Sequence, residues 1–319
     1  MREDNLRVLA GSANPKLAQS IADHLDIPLT RMLLTRFSDG EVRVKIEESL
    51  RGMDVFVIQP TSAPVNEHVM ELLIILDALR RASAERVNVV MPYYGYARQD
   101  KKVKPREPIT ARLVADLISL AGANRILAFD LHAEQIQGFF SIPVDHLYGG
   151  PLIADYLISQ KICNSNTVVV SPDEGGVGRA QALAQQLDAG LAIIFKRRPE
   201  PNRSEVISVV GDVRGKTCIV IDDIIDTGGS IIGGVDALKQ QGAERILVAC
   251  THAVFSGQAV QRLGGSPHIE QVLITDTIPR SDGELGPKFK CLSVAPLLAE
   301  ATDRIHRGAS VSGLFLPYL

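Results

Sequence analysis

The stretch Cys218-Ile219-Val220-Ile221-Asp222-Asp223-Ile224-Ile225-Asp226-Thr227-Gly228-Gly229-Ser230 holds the organisation of the whole chain in miniature. It begins with four apolar residues, mostly β-branched, the pattern of a strand buried on both faces of a parallel sheet. That strand delivers Asp222 and Asp223 at its C-terminal end, where open parallel sheets bind ligands. A turn, Asp226-Thr227-Gly228-Gly229-Ser230, then leads into a helical stretch. Its glycines let backbone N–H groups approach an anion, Thr227 and Ser230 add hydroxyl donors, and a helix N-terminus favours negative charge. A phosphate in the turn, with sugar hydroxyls on the acids, uses every residue type present. The plainer alternative is a capped strand–helix turn with Asp226 or Thr227 as the cap. A calcium loop is excluded, because the Asp-x-Asp-x-Asp-Gly spacing is absent.

Outward from this stretch the same unit recurs. Short apolar runs at Val55–Ile58, Val87–Val90, Arg125–Phe129, Thr167–Val170, Ile246–Ala249 and Val272–Ile274 read as further buried strands. Between them lie helix-like segments such as Glu67–Arg81, Ile109–Ala121 and Gly178–Leu187. Alternation of this kind predicts an α/β fold with parallel sheets. Asp77-Ala78-Leu79 through Val89 also repeats 159 residues on, as Asp236-Ala237-Leu238 through Val248, and an Arg-Gly pair (Arg51-Gly52, Arg214-Gly215) precedes a strand in each copy. We therefore expect a duplicated domain, with one copy over residues 1–147 and the other over 148–319. The copies differ in chemistry: the first ends its strand Ile58-Gln59-Pro60, the second Ile221-Asp222-Asp223. Gly215-Lys216-Thr217 ends like a phosphate-binding P-loop, but it lacks the upstream glycine and precedes a strand instead of following one, so it reads as a turn.

Composition narrows the class. The 319 residues carry 34 Lys+Arg against 37 Asp+Glu, a net charge of −3, and 45% are hydrophobic. That suffices for a large core and argues against a general nucleic-acid binder. The basic stretch Arg98, Lys101, Lys102, Lys104, Arg106 has no aromatics running through it for base stacking, and reads as a phosphate-facing loop. No apolar run is long enough for a spanning helix, and Met1-Arg2-Glu3-Asp4-Asn5 lacks the apolar region of a secretory signal, so no membrane partner is expected and the expected location is cytoplasmic. Cys163, Cys218, Cys250 and Cys291 lie far apart and form no metal-binding pair.

Asp222 to Ser230 resembles the ribose-phosphate loop shared by phosphoribosyltransferases and phosphoribosyl pyrophosphate synthetases. Further stretches are similar to the second group alone: Phe37-Ser38-Asp39-Gly40-Glu41, Thr61 to Glu67, Pro92-Tyr93-Tyr94-Gly95-Tyr96-Ala97-Arg98-Gln99-Asp100, Asp130-Leu131-His132 with Gln135 to Phe140, and Lys196-Arg197-Arg198. They run through nearly the whole chain in the family's order. The resemblance is to the ribose-phosphate diphosphokinases of the class I bacterial type. It implies two similar phosphoribosyltransferase-type domains, each a mostly parallel sheet flanked by helices: an ATP-binding domain over 1–147 and a ribose-5-phosphate-binding domain with a catalytic loop over 148–319. The implied reaction transfers the diphosphoryl group of ATP to the anomeric hydroxyl of ribose 5-phosphate. A phosphoribosyltransferase or a non-catalytic regulatory relative are the alternatives.

The resemblance also implies roles. Phe37, Asp39, Gly40, Glu41, Arg98 and Gln99 would surround ATP; a ring that can stack on a base, carboxylates that can accept from base or ribose, and a guanidinium fork for phosphate suit that role. Read without the family, Phe37 to Gly40 is an ordinary turn. Asp222, Asp223, Asp226, Thr227, Gly228, Gly229 and Ser230, with Arg198, would hold ribose 5-phosphate. Lys196 and Arg198, expected on a Pro-punctuated loop that closes as a lid, would stabilise transition-state charge. Asp173 and His132 would hold Mg2+, required both free and as MgATP. Taken alone, His132 reads as a hydrogen-bonding orienter, since magnesium prefers oxygen. Phosphate and ADP are the implied effectors, at a site including Ser49, Arg51, Ser310, Ser312 and Phe315, and the implied assembly is a homohexamer. Four residues depart from the family pattern: Phe195 stands where an acid often precedes the catalytic Lys, Glu200 sits in the usually more basic lid, Ser230 replaces the common Thr, and Glu174 follows the metal Asp where the family varies.

Overall fold

The structure, a computed structural model, describes residues 5–200, 203–281 and 283–314. The chain divides into two compact units. The first runs through Tyr148 and takes in Thr277–Pro279 and the segment from Ser293; the second holds Gly149–Asp276 and Arg280–Leu292.

In chain order the first unit contains β1 (Leu6–Ala10), α1 (Pro15–His24), β2 (Met32–Arg36), β3 (Val42–Ile46), β4 (Asp54–Ile58), α2 (Val65–Arg81), β5 (Arg86–Met91), α3 (Thr110–Ala121), β6 (Arg125–Phe129) and β7 (Val144–Leu147). Its five-stranded sheet is ordered β1-β4-β5-β6-β7 and is parallel throughout. The antiparallel pair β2–β3 stands apart as a hairpin. Every residue of β4 is buried, as a central parallel strand requires. Asn14 starts α1, its side chain accepting from Leu17 N–H at 3.2 Å, with Pro15 in the first turn.

The second unit follows with α4 (Gly150–Ser159), β8 (Thr167–Ser171), α5 (Val177–Gln186), β9 (Gly190–Glu200), β10 (Arg203–Val210), β11 (Thr217–Ile225), α6 (Gly229–Gln240), β12 (Arg245–Ala253), α7 (Ala259–Gly265), β13 (Gln271–Thr275) and β14 (Phe289–Leu292). The sheet order is β10-β9-β8-β11-β12-β13-β14, parallel except for β9–β10. Alternate residues of one strand feed two different cores. Cys218 and Val220 of β11 join Val168, Val170, Val235 and Leu238, while Ile219 and Ile221 join Val169, Leu183 and Leu157. A strand packed on both sides has no polar face, which is why these runs are continuously apolar.

The internal repeat is visible in the backbone. Gly52 and Gly215 both have φ of 69°, the left-handed region open to glycine. Gly52 N–H donates to Ser83 O at 3.0 Å and Gly215 N–H to Gly242 O at 2.8 Å, while Glu85 N–H meets Met53 O and Glu244 N–H meets Lys216 O, both at 2.9 Å. The same turn thus locks the same helix-to-strand corner in each unit. It also confirms that Gly215-Lys216-Thr217 is a turn ahead of a strand.

The last helix, α8 (Ala295–Arg307), departs from a simple cut at residue 147: it belongs to the first unit. His306, near its end, donates from Nδ1 to Asp54 Oδ2 at 2.7 Å. Asp54, 2% exposed, also accepts from Arg86 Nε at 3.0 Å and Asn88 Nδ2 at 2.9 Å. Arg86 reaches on to His306 O at 3.3 Å. A buried carboxylate is tolerable only when its lone pairs are filled, and here they are filled by groups from β5 and α8 together. Nothing in the local sequence of α8 marks Asp54, some 250 residues earlier, as its partner.

Replacing Asp54 by Ala strips the acceptor from three buried or half-buried donors. We expect Asp54→Ala to lower unfolding free energy by about 3 kcal/mol, read as a shift in denaturant midpoint. A loss under about 1 kcal/mol would show that apolar packing alone holds α8.

Candidate active site

In the second unit, adjacent strands bring the acids together. β8 and β11 pair in parallel register from Val168↔Cys218 to Val170↔Val220, so the segments beyond their C-terminal ends emerge side by side. Asp173 follows β8, and Asp222 and Asp223 lie within the last part of β11. Asp173 closes its own turn: Oδ1 accepts from Gly176 N–H at 3.1 Å, and Ser171 Oγ–H donates to Asp173 O at 2.6 Å. Asp222 Oδ1 accepts from Asp223 N–H at 2.9 Å. Burial pushes the Asp222 carboxyl well above the usual carboxylate range, the neighbouring Asp223 charge pushes it further, and Asp173 acts in the same direction. The opposing pull is Arg179 on α5, whose Nη1 stands 3.4 Å from Asp223 Oδ1 and 3.7 Å from Asp222 Oδ1.

Arg179 was not marked by the sequence reading. The available signal was its position: a cation on the first turns of the helix that follows Asp173. With it the described side chains form a cluster of three acids and one guanidinium.

The turn after β11 leads directly into α6. Gly228, left-handed at φ 73°, is the N-cap residue of α6 and has no side chain with which to cap it. A Cβ at Gly228 would touch Leu263 and Ala259 of α7 at ordinary contact distances of 3.5 and 3.8 Å, so it is the left-handed backbone angle that calls for glycine here.

Lys196 and Arg198 correct an expectation. They sit on strand β9, not on a loop: the β9–β10 ladder pairs Val206 with Lys196 and Arg203 with Glu200. β8 is paired to β9 only as far as Ser171↔Ile193, so the hairpin projects past the end of β8, the end that leads to Asp173. The β-branched run Val206-Ile207-Ser208-Val209-Val210 explains the extension, since it favours a ladder where the prolines suggested a break. The side chains of Lys196 and Arg198 lie outside the described residues.

In the first unit, Phe37 to Glu41 form the tip of the β2–β3 hairpin. Phe37 N–H donates to Glu41 O at 2.8 Å, Gly40 N–H to Phe37 O at 2.9 Å, and Glu41 N–H to Asp39 Oδ1 at 3.1 Å, with Gly40 at φ 96°. The turn is therefore ordered by its own polar groups, while the Phe37 ring is 50% exposed. An exposed ring on a tight turn is available for stacking; the Arg43 guanidinium already lies 5.7 Å from its centroid. Gln99 lies in the turn ahead of α3, its Oε1 accepting from Thr110 Oγ–H at 2.6 Å and its carbonyl from Ala111 N–H at 3.2 Å. Arg98 beside it is exposed. Hairpin and turn are thus two separately ordered loops of one unit.

His132, exposed, follows β6 in the first unit, and the turn carrying it is pinned by Leu131 N–H donating to His146 Nε2 at 2.9 Å. His146 is a second residue the sequence reading missed. Among the described residues no group of three or more His, Cys, Asp or Glu gathers as a metal site. Ser49, Arg51, Ser310 and Ser312 all belong to the first unit and are exposed, the latter two because α8 is docked there. Phe315 lies outside the described residues. No helix among the described residues is long and apolar enough to cross a membrane.

Comparison with known proteins gives this geometry a family. The family profile of the N-terminal domain of ribose phosphate pyrophosphokinase matches residues 6–122, and that of the phosphoribosyl synthetase-associated domain matches residues 198–316. Ribose-phosphate pyrophosphokinase of Oceanobacillus iheyensis is 52% identical over 314 residues, covering 98% of each chain. That of Bacillus subtilis is 53% identical over 313 residues, again 98% of each. Among solved structures, phosphoribosylpyrophosphate synthetase from Mycobacterium smegmatis superposes with a TM-score of 0.90 at 45% identity, over 96% of this chain and 100% of the other. A chain that matches such relatives along nearly its full length, and folds as two mostly parallel phosphoribosyltransferase-type domains, belongs to the ribose-phosphate pyrophosphokinase family.

Proposed function

We propose that this enzyme makes 5-phosphoribosyl 1-pyrophosphate and AMP from ribose 5-phosphate and ATP, with the sugar held by the second unit and the nucleotide by the first. The observation that carries the reading is the acidic strand end of β11 running into a glycine turn at the start of α6. Carboxylates there accept from the ribose hydroxyls, and the turn of Asp226 to Ser230 offers N–H and hydroxyl donors to the 5-phosphate.

In the reaction the anomeric hydroxyl oxygen bonds to the β-phosphorus of ATP. The bond from that phosphorus to the oxygen bridging it to the α-phosphate breaks, AMP leaves, and the hydroxyl proton passes to solvent. Little covalent work falls to the protein; positioning and charge stabilisation dominate. In our reading Asp222 and Asp223 orient the sugar, and Phe37 stacks on adenine while Asp39, Gly40, Glu41, Arg98 and Gln99 fix the rest of the nucleotide. Lys196 and Arg198 on β9 supply positive charge to the non-bridging oxygens as the transfer proceeds.

Magnesium belongs to this reading. Asp173 offers a hard oxygen whose partner oxygen already holds Gly176 N–H, and one protein carboxylate plus substrate phosphates and water is a donor set magnesium takes. We assign it to Asp173 and, following the family, His132. When bound it neutralises phosphate charge. Phosphate and ADP as effectors at Ser49, Arg51, Ser310, Ser312 and Phe315, a homohexameric assembly, and a cytoplasmic location complete the proposal.

The test of the activity is AMP release from ATP and ribose 5-phosphate with magnesium. Formation of a nucleotide, with release of pyrophosphate, from the pyrophosphorylated sugar and an added base instead would move the enzyme to the phosphoribosyltransferases, and nucleotide binding without turnover would make it a regulatory relative. Lys196→Ala should lower turnover by about 10²-fold or more while leaving ribose 5-phosphate affinity nearly unchanged; a variant keeping most of its activity refutes the role. Asp222→Asn should weaken sugar binding more than ATP binding, checked by the two KM values. It should also stabilise the ligand-free protein. The charged form of Asp222 is the one the fold disfavours, so stability is full where the carboxyl is protonated and falls as pH rises through its raised folded value. Asn has no such loss. Its melting temperature should exceed the wild type's near about pH 8 and converge with it near about pH 4.

A further inference from the structure

Three successive carbonyls at the end of β11 are held from one direction. Ile225 O accepts from Phe255 N–H at 3.1 Å and Asp226 O from Ser256 N–H at 3.0 Å, both donors lying between β12 and α7. Thr227 O accepts from the Arg262 side chain, Nη1, at 3.1 Å. The first two donors are backbone groups that any residue supplies. The third depends on one side chain, and it falls on the peptide that opens the glycine turn.

A trans peptide points its C=O and its N–H in opposite directions. With Thr227 C=O drawn toward Arg262, the N–H of Gly228 faces away from α7. Among the described residues neither Gly228 N–H nor Gly229 N–H has a protein acceptor. Arg262 is close to both: a Cβ on Gly229 would stand 4.0 Å from its Nη1, and the adjacent Leu263 and nearby Ala259 back Gly228. Leu263 and Ala259 are fully buried, so α7 is a fixed base from which the exposed Arg262 reaches back to the turn. The guanidinium keeps further donors and a full positive charge beside the turn.

We propose that Arg262 is a positioning residue for the sugar phosphate: by holding Thr227 C=O it fixes the Gly228 peptide with its N–H available to the 5-phosphate, and its charge favours that dianion. The proposal rests on the assignment of the Asp226–Ser230 turn to ribose 5-phosphate. It differs from a merely structural role, because the turn's other anchors and its glycine packing remain when Arg262 is changed.

The experiment compares Arg262→Met, Arg262→Lys and Asp222→Asn in the full-length enzyme, measuring KM for ribose 5-phosphate, KM for ATP, kcat and melting temperature. We expect Arg262→Met to raise KM for ribose 5-phosphate roughly five- to tenfold, as for one partly exposed charge-assisted hydrogen bond. KM for ATP, kcat and melting temperature should stay near wild type, and Arg262→Lys should restore part of the loss. If Asp222→Asn raises the sugar KM and Arg262→Met does not, the role of Arg262 is refuted. An equal rise in both KM values with a lowered melting temperature refutes it as well, since that is the mark of general damage. If neither variant alters the sugar KM, the assignment of the turn itself is wrong, and the proposal falls with it.

Discussion

Two carboxylates side by side at the end of a buried strand are an electrostatic load that the second unit is arranged to carry. Asp222 and Asp223 cannot both be comfortable as anions in low dielectric, and Asp173 adds a third negative charge nearby. The fold answers with a single guanidinium, Arg179, set on a helix whose register brings it to both acids. Among the described side chains, one cation stands against three acids. The strained balance is the physical content of the site: an apolar strand end of the same shape would be more stable and would bind nothing polar.

The contrast between the two units makes the same point. Both copies share the Arg-Gly turn, its hydrogen bonds to the facing corner, and the helix–strand unit that follows. In the first unit the position after the strand is Gln59, wholly buried and bonded to Glu71 and to Ala13 N–H. Glu71 in turn takes both the N–H and the hydroxyl of Ser12 at 2.7 Å. At this position the first copy carries a neutral amide satisfied within its own unit, where the second carries two carboxylates set against Arg179. The frame is present twice, and the two copies differ in the polar groups at this strand end.

Much of this was legible in the sequence because parallel strands buried on both faces leave continuous apolar runs, and all seven such runs, Val55–Ile58 through Val272–Ile274, are strands. The turn at Gly228 was legible because glycine is the residue that adopts a left-handed backbone angle at least cost. What escaped were relations between distant residues. Arg179 and His146 act through partners on other elements, and no local pattern names those partners. The β9–β10 hairpin was read as a loop because Pro199 and Pro201 outweighed the β-branched run that follows them. The docking of α8 on the first unit depends on Asp54 and His306, and amphipathic periodicity says that a helix has a buried face without saying which sheet covers it.

That docking bears on how the molecule is made. The first unit is discontinuous: its sheet is synthesised early, yet the histidine that fills one site on Asp54 arrives only when the last helix has been translated. Until then Asp54 is short of one buried donor, and the surface of α1 that α8 covers stays exposed. Domains commonly fold in the order they leave the ribosome, but here part of the first unit's packing comes from a helix that follows the second unit in the chain. The described residues of the second unit all precede α8 in the chain, so its sheet is synthesised before the first unit has its last helix.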